Sequence, residues 1–427
     1  MKNLALFFIF AASVAQAQET PAAALQSSIV LEAAKILDVG KGAYIENAAV
    51  WIEGERIKEV GRAGDVLPHA PKDAKIIDLG RSTVLPGLID CHTHIMARIP
   101  EGDNGYIVNL ATKSQAFRAL EGAYNARITL EAGFTSIRDV ENEGSGYADV
   151  ALRDAINQGL AEGPRMQVAT RAIAAVGQYN PFGVSPDLGD FPTGAQMVSG
   201  VDEARRAARE QIGHGADLIK VYADWDHPTL TVDEIRVIVE EAHKARRKVA
   251  AHAHTPDGIR NALNAGVDSI EHGNGLDRSL LQLMKEKNAY WVLTKGYYFD
   301  HVKTEKNPRV RAYFEKTLQR ARENVATARE LGVKIADGFD PAAAEEHGKN
   351  ADEIVAMASL GMTPVEAIRA ATVNAADLMG WQDRVGSIDP NKYADLIAVD
   401  GDPLADVTVL QNVKFVMKGG AVVKEPH

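Results

Sequence analysis

Hydrophobic and polar positions change rhythm three times along this chain. The opening residues carry one early charge, Lys2, then an almost wholly apolar run over 4–14 and the small-x-small triplet Ala15-Gln16-Ala17. That order predicts a secretory signal over 1–17, cleaved after Ala17, and the run is too short for a membrane span. From 28 to 78 the texture is strand-like. Ala49-Val50-Trp51-Ile52 and Lys75-Ile76-Ile77 are short β-rich runs, with turns at Gly54-Glu55 and Gly61. The same texture returns after Gly386, in Ala394-Asp395-Leu396-Ile397-Ala398-Val399 and Val413-Lys414-Phe415-Val416-Met417. Short strands bounded by turn residues at both ends predict one small β-sandwich domain assembled from 18–83 and 383–427.

The stretch 84–382 alternates helices with buried strands. Thr231-Val232-Asp233-Glu234 is a capping box, followed by Ile235, Ile238, Val239 and Ala242 at helical spacing. Thr363, Pro364 and Glu366 repeat that helix-start chemistry, and Gly380 supplies a stop. A phrase also recurs in which a helix-ending glycine precedes a short apolar strand that closes in polar residues. It begins at Gly133, Gly215, Gly266 and Gly332, too irregularly spaced for a solenoid. Buried strands alternating with helices make a parallel sheet, and polar residues at strand C-terminal ends are where a (β/α)8 TIM barrel keeps its chemistry. The expected fold class is therefore α/β, a (β/α)8 barrel over 84–382 with the β-sandwich domain attached. An open doubly wound sheet is the alternative, but no Gly-x-Gly-x-x-Gly follows a strand.

Composition narrows the function. At 427 residues, 46% hydrophobic and 25% charged, the chain is globular and long enough to bury a core without staples. Its net charge of −11 and lack of a basic run argue against nucleic acid, and no other stretch suits a membrane after signal cleavage. A single cysteine, Cys91, excludes an intrachain disulfide.

The sharpest chemical signal is Leu85-Pro86-Gly87-Leu88-Ile89-Asp90-Cys91-His92-Thr93-His94. Alternate strand residues face one side, so His92 and His94 project together, about 6.6–7 Å apart along the backbone. Two converging imidazoles suit a transition metal such as zinc, although two histidines alone are equally a structural pair. More ligand-type residues end other predicted strands: Lys220, His252, His254, His272 and Asp340. Their common placement points to a metal centre. Cys91 faces away from His92 and His94 and is expected to be a packed thiol. Arg138 and Asp139 are expected to form a structural ion pair.

With these phrases the sequence resembles the amidohydrolase superfamily of metal-dependent hydrolases. The matching segments include 85–94, Ile-Lys-Val-Tyr-Ala-Asp (219–224), Val-Ala-Ala-His-Ala-His (249–254), Ala-Gly-Val-Asp-Ser-Ile-Glu-His-Gly (265–273), the helix 362–372 and Gly-Ser-Ile-Asp-Pro-Asn-Lys-Tyr-Ala-Asp-Leu (386–396). It is most similar to the branch holding Xaa-Pro and Xaa-Arg/Lys dipeptidases, imidazolonepropionase relatives and ochratoxin-hydrolysing amidases. The resemblance implies two divalent metal ions, expected to be Zn²⁺. His92, His94 and Asp340 would hold one, His252 and His272 the other, and Lys220, carboxylated by CO₂, would bridge them. A free lysine is a cation that repels Zn²⁺, whereas its CO₂ adduct is an anionic oxygen ligand. Asp340 would also be catalytic, taking a proton from the attacking water. His254, Tyr222 and His347 would contact substrate, and Tyr297 lies near the same mouth.

Two departures stand out. Relatives usually show Gly-Thr-Asp where this chain has Gly338-Phe339-Asp340, with Asp337 as an alternative carboxylate. Relatives also commonly carry Gly-Gly-His-Gly near Val176-Gly177-Gln178-Tyr179. Two metals lower the pKa of a shared water from 15.7 to roughly 7. The expected activity is hydrolysis of an amide in dipeptides or N-acyl amino acids, including ochratoxin-like amides. The expected product is secreted or periplasmic and, like many relatives, a homo-oligomer. A hydrolase of cyclic amides or amidines and a non-catalytic binding protein are the competing readings.

Overall fold

The computed structural model describes residues 28–100, 105–179, 185, 187 and 192–425, so the expected signal over 1–17 lies outside the described residues. Strand Ser28–Asp38 is the hub of an eight-stranded sheet. It pairs antiparallel with Ala43–Glu53, which pairs with Arg56–Arg62, and parallel with Lys75–Asp78 and Thr83–Pro86. Thr83–Pro86 then pairs antiparallel with Leu396–Val399, placing Leu85 opposite Ile397, and Phe415–Lys418 and Ala421–Lys424 extend the row. Strands from both ends of the chain thus share one sheet, over a core that includes Leu31, Val50, Ile52, Leu396 and Phe415.

Between them lies an α/β region built on parallel strands. Leu88–Thr93, Phe134–Asp139 and Arg165–Val168 form a three-stranded sheet. A seven-stranded sheet orders Ala195–Val198, Ala172–Ala175, Leu218–Tyr222, Lys248–Ala253, Ser269–His272, Tyr290–Val292 and Lys334–Ala336. Backbone hydrogen bonds link the two sheets: Asp217 N–H, just before Leu218–Tyr222, donates to Val168 O at 2.8 Å, and Cys91 N–H to Asp337 O, just past Lys334–Ala336, at 2.9 Å. The recurring glycines work as their phrase predicts. Gly266 and Gly332 close helices Pro256–Ala265 and Pro308–Leu331 in left-handed conformation, with φ of 96° and 69°. That conformation suits glycine and turns the chain into the next strand.

Helix Val232–Lys244 shows how these helices are fixed. Thr231 Oγ1 accepts from Glu234 N–H at 3.2 Å while the Glu234 carboxylate accepts from Thr231 N–H at 2.8 Å. Ile235, Ile238, Val239 and Ala242 are buried in the core between helices and strands. Each large aliphatic side chain buried there is worth roughly 1.5–3 kcal/mol. Helix Pro364–Arg369 starts on the matching Thr363/Glu366 box, and Gly380 ends the following helix Ala375–Met379 with φ of 69°. Among the described residues no helix is long and apolar enough to cross a membrane.

Candidate metal centre

The C-terminal ends of five parallel strands deliver their polar residues to one cavity of about 360 Å³. His92 and His94 come from the end of Leu88–Thr93, Lys220 from Leu218–Tyr222, His252 and His254 from Lys248–Ala253, His272 from Ser269–His272, and Asp340 from just beyond Lys334–Ala336. The five imidazoles form a contiguous row. Ring centroids lie 5.3 Å apart for His92–His94, 4.9 Å for His92–His272, 4.6 Å for His252–His272 and 4.4 Å for His252–His254. Asp340 Oδ1 sits 3.1 Å from His94 Nε2 and 3.6 Å from His92 Nε2, and Oδ2 sits 3.8 Å from His272 Nδ1. Potential ligand atoms of His92, His272 and Asp340 lie within 4.8 Å of one another, and so do those of His252, His254 and His272. His272 and Asp340 both adopt φ of 67°, which bends each strand end toward the cavity. Non-glycine residues held in this conformation concentrate at functional sites.

Carboxylates behind the histidines orient them. Glu271, fully buried, accepts from His92 at Nδ1 (2.7 Å) and from Arg138 Nη2 at 2.9 and 3.0 Å. Burial works against ionising Glu271, but the Arg138 guanidinium outweighs it and holds the carboxyl down to about 2. Burial, reinforced by the Lys220 charge, pushes His92 down to about 4. Neutral His92 therefore gives its Nδ1 proton to Glu271 and turns the Nε2 lone pair into the cavity, the arrangement a metal ligand needs. Glu143 stands beside His94 as an ion-pair partner, with Oε1 2.7 Å from Nδ1; burial opposes charge on His94, but Glu143 and Asp340 outweigh it and raise its pKa, unlike that of His92. Asp90 secures the strand end itself. Its Oδ1 accepts from His92 N–H at 2.9 Å and Phe339 N–H at 3.2 Å, and its Oδ2 accepts from Asn350 Nδ2 at 2.7 Å.

The residues fit a divalent metal. His92 Nε2 and His252 Nε2 are buried with no hydrogen-bond partner, an expensive condition for a ring nitrogen unless a ligand completes it. Lys220 is 1% exposed and takes no hydrogen-bond or ion-pair partner among the described residues, and burial holds its pKa below the ordinary lysine value. Nitrogen donors with a carboxylate match zinc preferences.

Of the substrate contacts expected from sequence, His254 and Tyr222 line the cavity, and Tyr297 joins them. His254 Nδ1 is buried and unpartnered, and burial pushes this imidazole down to about 4. His347 is not a lining residue; it is buried with Nε2 2.8 Å from Ala97 O. Asp340 lines the cavity while Asp337 is fully buried away from it. The expected Arg138–Asp139 pair does not form. Arg138 turns to Glu271 and Cys91 O, whereas Asp139 accepts from Thr93 Oγ1 and Ile95 N–H, because successive strand residues face opposite sides. Cys91 is buried among Tyr290, Val292, Ala375 and Leu378, and burial raises its thiol pKa.

Beside the expected Tyr222, sequence reasoning did not anticipate the acids or the rings of Tyr179 and Trp225 on one wall. Glu143 and, just beneath the surface, Glu141 follow strand Phe134–Asp139, the position rule that identified the histidines. Tyr179 and Tyr222 each donate their hydroxyl to a different oxygen of Glu141. Burial and the Glu143 charge raise Glu141 to about 7. Tyr222 stacks on Trp225 at 4.8 Å and 17°.

Residues 83–423 match the Amidohydrolase family. The chain is 33% identical to ochratoxinase of Aspergillus niger over 440 aligned positions, covering 94% of this chain and 88% of that protein. It is 25% identical to imidazolonepropionase of Geobacillus kaustophilus, covering 96% and 97%. Among solved structures, a Xaa-Pro dipeptidase with methionine bound in its active site superposes with a TM-score of 0.81 at 32% identity, covering 93% of this chain and 99% of that one.

Proposed function

The chain belongs to the amidohydrolase family, and from that premise we propose that it is an exported, binuclear metal amidase cleaving dipeptides or N-acyl amino acids. It is a hydrolase of C–N bonds in small molecules, in keeping with its ochratoxinase and dipeptidase relatives. The observation that carries the finer reading is the donor set: five imidazoles, a buried unpaired lysine and the Asp340 carboxylate on a single cavity, with Glu143 beside them. In this reading His92, His94 and Asp340 would hold one Zn²⁺, His252 and His272 would hold the second, and Lys220, once carboxylated, would serve both as an anionic oxygen ligand. The ions would supply Lewis acidity for the scissile carbonyl and lower the pKa of water. Asp340, set against His92 and His94, holds the proton taken from that water at a carboxylate oxygen and returns it to the leaving nitrogen. His254 Nδ1 and the Tyr222 ring orient the amide.

The reading takes the parallel strands from Leu88–Thr93 to Lys334–Ala336 to close as a (β/α)8 barrel, with Ala172–Ala175 and Ala195–Val198 as an excursion from it, beside a β-sandwich domain from the chain ends. The backbone hydrogen bonds between the two sheets, from Asp217 to Val168 and from Cys91 to Asp337, support closure. It also includes signal cleavage after Ala17 and assembly into a homo-oligomer. Metal analysis of the purified mature protein tests the centre, with about two equivalents per chain expected. Chelation should abolish hydrolysis of a dipeptide and N-acyl amino acid panel, and Asp340→Asn should lower turnover by roughly 10²–10⁴ while the fold is kept. One equivalent, or ammonia as product from cyclic substrates, would instead favour the imidazolonepropionase-like alternative.

A further inference from the structure

We propose that a second cavity, at the opposite end of the parallel strands from the metal centre, binds the phosphate group of a small anion through Arg247 and Arg384. The site does not depend on the amidase reading.

The cavity has a volume of about 450 Å³ and lies where the strands begin. Arg165 opens strand Arg165–Val168, Asp217 immediately precedes Leu218–Tyr222, and Arg247 immediately precedes Lys248–Ala253. Helix Ala148–Asn157 adds Arg153 and Asp154, and the chain beyond Ala375–Met379 closes the far side with Trp381, Arg384 and Tyr393. Four lining residues are arginines in a chain whose net charge is −11, so the sign of this cavity runs against that of the whole protein.

Ion pairing sorts the four arginines into two kinds. Arg153 Nη1 lies 2.6 Å from Asp217 Oδ2 and its Nη2 lies 2.8 Å from Asp154 Oδ1, so both acids of the lining are taken. Arg165 donates to both oxygens of buried Asp395, at 2.8 and 3.1 Å, and stacks over Tyr393, 3.6 Å from the ring centroid. These two guanidiniums are compensated. Arg247 has no side-chain hydrogen bond or ion pair among the described residues, although its Nε is buried. Arg384 has one acidic neighbour, the adjacent Asp383 at 3.5 Å, which is 73% exposed and offsets little of its charge. Two guanidiniums from different segments thus line one hollow without a buried counter-ion, and an anion would supply the missing acceptor.

The class of anion follows from the shape of the donors. A guanidinium is a planar fork that matches two oxygens of one partner. A carboxylate group has two oxygens and satisfies one fork. A phosphate dianion has more oxygens, set tetrahedrally, and faces two forks at once with charge to match both. The cavity is larger than a phosphate alone needs, which leaves room for a carrying group beside the Trp381 indole.

Calorimetric titration of the metal-loaded enzyme with inorganic phosphate, glucose 6-phosphate and succinate tests this, at fixed ionic strength and about pH 8, where both phosphates are dianions. The two phosphates should bind with Kd at or below about 1 mM, and succinate, of equal charge but different shape, at least about tenfold more weakly. Tighter binding of glucose 6-phosphate supports a carried phosphate group, and tighter binding of inorganic phosphate supports the free ion. Phosphate also has access to metal, so the deciding comparison is with the double variant Arg247→Gln/Arg384→Gln. That variant should keep the metal content and turnover of wild type, since neither residue lines the metal cavity, while its phosphate Kd rises at least about tenfold. Should it fail to fold, each single substitution is read the same way, with a rise of at least about threefold expected. Phosphate binding unchanged in the variants would overturn the proposal, as would succinate binding as tightly as phosphate, or no saturation by either phosphate up to about 10 mM.

Discussion

Replacing Glu271 with glutamine should weaken both the fold and the metal centre, by amounts that follow from its contacts. Glu271 is fully buried and bonded to both His92 and Arg138. Folding lowers its pKa from an ordinary 4.5 to about 2, which at 1.36 kcal/mol per pH unit corresponds to roughly 3 kcal/mol at neutral pH. Removing one partner of a buried ion pair typically costs about 3–5 kcal/mol, because the other charge stays behind. The two routes agree, so Glu271→Gln should lose about 3 kcal/mol in urea unfolding of metal-free protein at pH 7. The lowered pKa also sets the pH dependence. A depressed carboxyl stabilises the fold above its unfolded pKa, and that contribution fades as pH falls from about 4.5 through about 2. The gap between wild type and variant should therefore narrow from pH 5 to pH 3. Because Glu271 also fixes the His92 tautomer, chelator competition should show metal affinity roughly 10–100-fold lower. A variant within about 0.5 kcal/mol of wild type, with unchanged metal affinity, would refute this reasoning.

Two simpler perturbations should separate packing from chemistry. Cys91→Ser should keep near-normal turnover, and thiol-modifying reagents should leave the folded wild-type enzyme active, since Cys91 is buried and its thiol pKa is raised. Inactivation at a rate matching that of an exposed thiol would contradict its placement. Gly338→Ala should lower both stability, by about 1–3 kcal/mol, and activity. A Cβ there would stand 2.4 Å from Val292 Cγ1 and 2.8 Å from His92 Cβ, so the new methyl competes with a metal-binding side chain for space. Denaturant midpoints and steady-state rates measured on the same preparation check it.

The histidines, Lys220 and Asp340 could be placed from sequence because strand periodicity and helix-ending glycines reveal where each parallel strand stops. A polar residue at such a stop has one environment, the shared mouth. The sheet made from the two chain ends was legible as two strand-rich stretches, but register was not: nothing local pairs Leu85 with Ile397. Carboxylate partners were harder. Glu271 lies beside His272 in sequence yet serves His92 on another strand, and Arg138 bypasses adjacent Asp139 for Glu271. Those pairings depend on how strands sit side by side across the cavity. Glu141 and Glu143 were within reach, since both lie just past a strand end, as His94 and His254 do. Positive φ at His272 and Asp340 is likewise a tertiary property, as neither residue type announces it.

The sheet shared by both chain ends has a kinetic consequence. During synthesis, Ser28–Asp38 and Ala43–Glu53 can zip together early as a hairpin, whereas the open side of Thr83–Pro86 waits for Leu396–Val399, more than three hundred residues later. Until then that strand presents unpaired backbone groups, a template for association with another nascent chain. Closing so distant a contact also makes the last step slow, because loop entropy must be overcome before pairing rewards it. A chain shortened before 396 would leave that edge open permanently, and the expected fate of such a product is aggregation rather than a smaller working enzyme.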